Sequence, residues 1–278
     1  MRRSTAAFAS GFAVVASLAA AQQAGILTTP ARHPQTAVST PREAADEGYD
    51  GGLRFCRIRF NNSPDGDGAG WFVDYPRADE NLSLRMSQLT RIPFTTVGEG
   101  DPVRLVLDLT DDELFQCPFV MMTEPGGADL SPAEAAKLGT YLRKGGFLWA
   151  DDFWGTRAWE WWSTQIGKVL PPDQFPIVDV PIEHPMFHTM FDIKSIPQIP
   201  NIGQWEASHT TSERGADSPQ AYTRAIFDKK GHLMVFMTFD TDFGDSFERE
   251  TDSPDYFQNM SVPAYEIAAD VLIYALTH

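Results

Sequence analysis

The chain reads as an α/β protein in which a parallel sheet is covered by helices on both faces and an antiparallel hairpin comes late. Three observations predict this. Phe119-Val120-Met121-Met122 and Phe147-Leu148-Trp149-Ala150 are short, continuously apolar runs, the pattern of strands buried on both faces of a parallel sheet. Between them, Ser131-Pro132-Ala133-Glu134 reads as a capping box with proline at the first helical position. It opens a helix whose buried stripe is Leu138, Tyr141 and Leu142 and whose stop is Gly145. Farther on, Tyr222 to Phe227 and Leu233 to Phe239 flank Asp228-Lys229-Lys230-Gly231, a hairpin turn.

The remaining elements follow in chain order. Met1-Arg2-Arg3 precedes an apolar stretch, Ala6 to Ala20, too short and too alanine-rich for a stable membrane span. Residues 1–21 therefore read as a signal peptide with small residues at Ala19-Ala20-Ala21 for cleavage. Residues 22–50 are rich in Ala, Thr, Pro and Gln without hydrophobic periodicity, which predicts a flexible linker, and residues 51–278 are expected to form a single α/β domain. Phe55 to Phe60 alternates, with Cys56, Ile58 and Phe60 on one face and Phe55, Arg57 and Arg59 on the other. The two arginines suit an edge or exposed face, the alternative being pairs with acidic groups in a pocket. Val103 to Leu109 is a second strand, and Asp111-Asp112-Glu113 begins a short helical turn. Thr156 to Val169 is helical, with Trp159, Trp162, Ile166 and Val169 on its buried stripe; Trp154 and Trp161 fall outside it and are candidates for lining a pocket. Ile177 to Val180 is another short strand, and Pro263 starts a closing helix that buries Ile267, Val271 and Tyr274.

The chain has 38 acidic and 22 basic residues, a formal charge of −16, and loss of Arg2 and Arg3 with the signal makes it two units more negative. Such a surface repels nucleic acid and anionic lipid, and no stable membrane insertion is expected after cleavage. The destination is the periplasm or the exterior. Export permits a disulfide, but nothing in the spacing brings Cys56 and Cys117 together, so two buried free thiols are the default expectation.

In open α/β sheets, ligands bind outside the carboxyl ends of the strands. Asp151 and Asp152 directly follow one predicted strand, Asp240 and Asp242 another, and Glu124 a third, so these acids should converge on one edge. Carboxylates so placed share protons, bind a cation or hydrogen-bond sugar hydroxyls. Asp65 and Asp67, in the loop after the first strand, have the spacing that begins a calcium loop, but Ala69 and Pro76 stand where further ligands belong. His184 and His188 are four apart, yet Pro185 keeps His184 out of any helix, which favours loop packing over a metal pair.

Several long motifs occur in order: Gly70-Trp71-Phe72-Val73-Asp74-Tyr75-Pro76, Cys117 to Glu124, Gly145 to Gly155, Ile182-Glu183-His184-Pro185 and Thr241 to Ser246. In these the chain resembles the bacterial family called domain of unknown function 4159 from about Leu53 to His278. That family is similar to the class I glutamine amidotransferases and trehalose-utilisation-like domains, so the resemblance implies a flavodoxin-like sheet in a single amidotransferase-like domain. By the same analogy Asp151 takes the place of the catalytic cysteine, and Asp240 and Asp242 those of the histidine and glutamate. Without thiolate, hydroxyl or imidazole, glutamine hydrolysis through a thioester is excluded.

The expectation is an exported, non-catalytic module that binds a small polar ligand, a glycan or a protein partner, through Asp65, Asp67, Glu124, Asp151, Asp152, Trp154, Asp240 and Asp242. The alternative is a carboxylate-based hydrolase of a glycan or other polar substrate, with Asp151, Asp152 and Asp242 as candidate catalytic groups. No cofactor is expected in the first reading, and the second works either with a divalent cation or by metal-free acid–base chemistry.

Overall fold

Strand β1 (Phe55–Arg59) alternates across the two faces as its sequence requires: Phe55 enters one apolar core, while Cys56 and Ile58 enter the other. The structure, a computed structural model, describes residues 50–278 together with Leu27. The expected signal peptide, 1–21, lies outside the described residues, as does the expected linker apart from Leu27 and Asp50.

Among the described residues the main sheet has seven strands, in the order β4-β1-β5-β6-β9-β8-β7. They are β4 (Arg104–Asp108), β5 (Phe119–Thr123), β6 (Phe147–Asp151), β7 (Val178–Asp179), β8 (Tyr222–Phe227) and β9 (Leu233–Phe239) beside β1. β4, β1, β5, β6 and β9 run parallel, and β8 and β7 are added antiparallel, the former through the expected hairpin. Thr96–Val97 (β2) and Asp101–Pro102 (β3) make a separate small antiparallel pair. β5, β6 and β9 are buried at every residue, which explains their unbroken apolar runs.

Helices cover both faces, with two short ones, α4 (Ile202–Ser208) and α6 (Pro254–Tyr256), lying in the later connections. Helix α1 (Arg77–Leu89) and the closing helix α7 (Val262–Thr277) pack over Phe55, Phe119 and Trp149, whereas α2 (Pro132–Arg143) and α3 (Gly155–Val169) pack over Ile58, Val120 and Leu148. The capping box of α2 is present in both directions: Glu134 N–H donates to Ser131 Oγ at 3.3 Å and Ser131 N–H to Glu134 Oε2 at 2.8 Å. Leu27 is also buried, in the core under α1.

Two expectations are corrected. Cys56 and Cys117 are joined in a disulfide, with Cα atoms 6.2 Å apart. Their approach depends on β5 pairing in parallel beside β1, Cys56 opposite Val120, a register that spacing along the chain does not reveal. The two arginines of β1 also part company. Arg59 is exposed and paired with Asp108, but Arg57 is completely buried and grips Asp79 through Nε and Nη2. The inward reading holds for Arg57 because α1 lies across that face of β1 and brings Asp79 to it.

Candidate functional site

The carboxyl ends of β5, β6 and β9, neighbours in the sheet, share an unusual ending. In each, the residue just past the strand is an acid in the left-handed region: Glu124 at φ 51°, Asp152 at φ 58° and Asp240 at φ 58°. Asp74, on the loop from β1 into α1, is held at φ 62°, and among the described non-glycine residues only His209 joins these four. Such a conformation costs an L-residue about 1–2 kcal/mol and clusters where a chain must present a side chain sharply. Here it turns each chain out of its strand and leaves a carboxylate at the sheet edge.

Each acid has its own surroundings. Glu124 Oε2 accepts from the backbone N–H groups of Ala69 and Gly70, the latter at 2.7 Å, and so pins the glycine-rich loop after β1. Burial raises its pKa against the pull of those two donors. Asp151 is wholly buried, accepting from the Thr238 hydroxyl and from Gly244 N–H at 2.9 Å. Burial pushes it up to about 7, with those donors holding it back. Asp151 thus faces β9 and the start of helix α5 (Phe243–Glu248) instead of an open crevice, and the residue at the apex of the strand-to-helix turn is Asp152. Asp152 Oδ1 accepts from Trp154 Nε1 at 2.9 Å, so Trp154 serves the site as an indole donor. Asp242 caps α5, its Oδ1 accepting from Asp245 N–H at 2.7 Å. Asp240 Oδ1 accepts from Gly155 N–H at 2.8 Å at the start of α3, and burial pushes it up to about 6.

Asp74, Asp152 and Asp242 converge: one oxygen from each lies within 4.8 Å of the other two, and all three residues are buried. Burial first, then the negative charge of neighbouring acids, raises each well above the usual carboxylate range. Asp74 Oδ2 is buried and meets no hydrogen-bond donor among the described residues. Arg57 builds this corner. Its Nη1 donates to Trp71 O at 3.0 Å, Val73 O at 3.2 Å and Thr123 Oγ1 at 2.6 Å, tying the loop that carries Asp74 to the end of β5.

The expected set is therefore brought together in part. Asp152 and Asp242 meet, Asp151 braces them from behind, and Asp240 sits at the start of α3. Asp67 faces Arg214 at 3.3 Å, and Asp65 is exposed, joined to Arg157 through its carbonyl; neither belongs to the trio. His184 caps the short turn Pro185–Phe187 through Nδ1 and packs against Tyr274, while His188 contacts Asp192 and the carbonyl of Ile182, in keeping with loop packing. Trp161 donates to Ala128 O at 2.6 Å. Asp74 is the member of this trio that reading the sequence missed. Its signal was its place in the connection after the first strand, where the strand-end rule applies, but it lies 15 residues beyond Arg59 and only the folded loop returns it to the edge.

Fold and site together define a mostly parallel α/β domain with an acidic site on the carboxyl edge of its sheet. The chain belongs to the family described as domain of unknown function (DUF4159), whose model matches residues 54–276. No curated protein matches it. Among the described residues no helix is long and apolar enough to cross a membrane.

Proposed function

We propose that this protein is an exported, non-catalytic module that binds a small polar ligand, such as a glycan, on an amidotransferase-like scaffold whose covalent machinery has been replaced by carboxylates. The observation that carries this reading is the turn from β6 into α3. A hydrolase of such a fold keeps its nucleophile at the apex of that turn and uses free N–H groups nearby to hold the oxyanion. Here the apex is Asp152, and the first N–H groups of α3 are already taken: Gly155 by Asp240, and Thr156 by Asp217 at 3.0 Å. The Thr156 hydroxyl also donates to Asp217, at 2.6 Å. Carboxylates occupy the place of both nucleophile and oxyanion hole, a constellation suited to accepting hydrogen bonds from hydroxyl groups and opposed to acyl transfer.

Two further features support the reading. The five parallel strands, numbered among themselves in chain order, run 2-1-3-4-5, as in flavodoxin-like sheets, and the loops after β1 and β5 flank the switch point where such sheets take ligands. The disulfide fits an oxidising compartment, in line with the amino-terminal signal expected from the sequence.

The test pairs binding with turnover. Calorimetry against mono- and oligosaccharides should give saturable binding that Asp240→Asn weakens, while glutamine and activated esters are left intact. Turnover of any of these compounds that disappears in Asp152→Asn would overturn the proposal in favour of a carboxylate-based hydrolase.

A further inference from the structure

We infer that Asp74, Asp152 and Asp242 together hold one hard divalent cation of the calcium or magnesium class. The inference rests on reading the carboxyl edge as a ligand site and names the chemistry of what is bound there. The three side chains come from separate segments, the loop after β1, the turn after β6 and the cap of α5, and each offers an oxygen within 4.8 Å of the other two. Oxygens about 2.0–2.6 Å from a shared ion lie at such separations. Two of the carboxylates are held in place by a donor on one oxygen, Trp154 Nε1 for Asp152 and Asp245 N–H for Asp242.

A second observation points to a ligand. Asp74 Oδ2 is buried without a donor in a residue only 8% exposed. It borders the same space as Asp242: a Cβ built on Gly244 would overlap Asp74 Oδ2 and stand 3.4 Å from Asp242 Oδ1, so the glycine keeps clear the space beside those two oxygens. A carboxyl oxygen buried without a donor is costly, and the chain supplies no counter-charge to it by hydrogen bond. Arg57, the basic group behind Asp74, is committed to Asp79.

A neighbouring triad makes the contrast. Asp74 also lies within 4.8 Å of Asp245 and Glu248, but there Arg249 Nε stands 2.7 Å from Glu248 and 3.5 Å from Asp245. Asp245 Oδ2 additionally accepts from Ile202 N–H and the Tyr256 hydroxyl. That triad carries its own cation, and the first does not. Three carboxylates without histidine or cysteine select a hard ion over zinc or copper.

The experiment uses the full chain stripped with chelator and titrated with calcium chloride or magnesium chloride alone, read by calorimetry and thermal unfolding. One of the two ions should bind one equivalent and raise the melting temperature by about 5 °C or more at a hundredfold excess over Kd. Asp74→Asn and Asp242→Asn should each weaken binding at least about tenfold, the least that loss of even an outer-sphere partner typically costs. Asparagine at position 242 keeps the helix cap, so that variant reports on binding even if the other folds poorly. Glu248→Gln should bind as the parent does. Absence of heat and of a thermal shift with both ions overturns the inference, as does binding that both asparagine variants retain. Saccharide binding without any cation effect would overturn this inference and leave the binding module standing, whereas cation-dependent turnover would do the reverse.

Discussion

Glu250 and Asp152 are both carboxylates shut away from water, and the fold houses them in opposite ways. Glu250, under α1, meets Arg85 Nε at 3.2 Å and the Tyr265 hydroxyl at 2.8 Å, with the Arg85 guanidinium set against the rings of Phe257 and Tyr265. Asp152 instead lies beside Asp74 and Asp242, and no basic side chain hydrogen-bonds any of the three among the described residues. A buried charge with its counter-charge built in is a structural part, complete when the chain folds. A buried cluster of one sign is complete only with protons or an imported cation, which is why the trio is the region proposed to bind.

The strongest way to break this comparison is to remove one charge from each region. Glu250→Ala removes the buried carboxylate that Arg85 and Tyr265 meet and should cost about 3–5 kcal/mol in urea unfolding. Asp74→Asn, measured in chelator, removes repulsion and should cost nothing or stabilise slightly; a loss as large as that of Glu250→Ala would show that the trio is a structural network after all. The disulfide lies at the other end of the sheet. Replacing Cys56 and Cys117 together by alanine should cost roughly 2–4 kcal/mol, because the link spans 61 residues of sequence and restrains the unfolded chain, and it should leave binding at the carboxyl edge unchanged.

Next in size is the response to pH. Asp151 has a folded pKa of about 7 and Asp240 of about 6, both above the unfolded value near 4, and the trio is shifted in the same direction. Between those values the folded state keeps protons that the unfolded state has lost. The stability these groups contribute is therefore complete below about pH 4 and is lost as pH rises toward 7. In chelator, urea midpoints should fall from pH 5 to pH 7.5 by the equivalent of about 2 kcal/mol or more, and a saturating cation should flatten that slope. A midpoint that rises over this interval would contradict the assignment of buried, uncompensated acids. Smallest is Ser131→Ala, which removes a cap far from either region and should cost about 1 kcal/mol in the same assay, a scale against which the other changes can be read.

The strands β5, β6, β8 and β9, the capped helix α2 and the late hairpin were legible because each is a local pattern: a continuous apolar run, a serine three residues before a glutamate, a polar turn between β-rich runs. The convergence of Asp152 and Asp242 was legible too, since both follow strands and strand ends gather ligands. Asp74, the pairing of Cys56 with Cys117 and the burial of Arg57 were not, because each depends on which strands lie side by side.

From its sequence alone the chain determined its element types and the acids standing at the ends of its central strands, because backbone propensity and apolar periodicity act over a few residues. Tertiary structure decided which of those acids meet. The parallel pairing of β1 with β5 brings the loop carrying Asp74 to the ends of β6 and β9, and packing excludes water from it. Charge and burial can be weighed only once segments distant in sequence share one space.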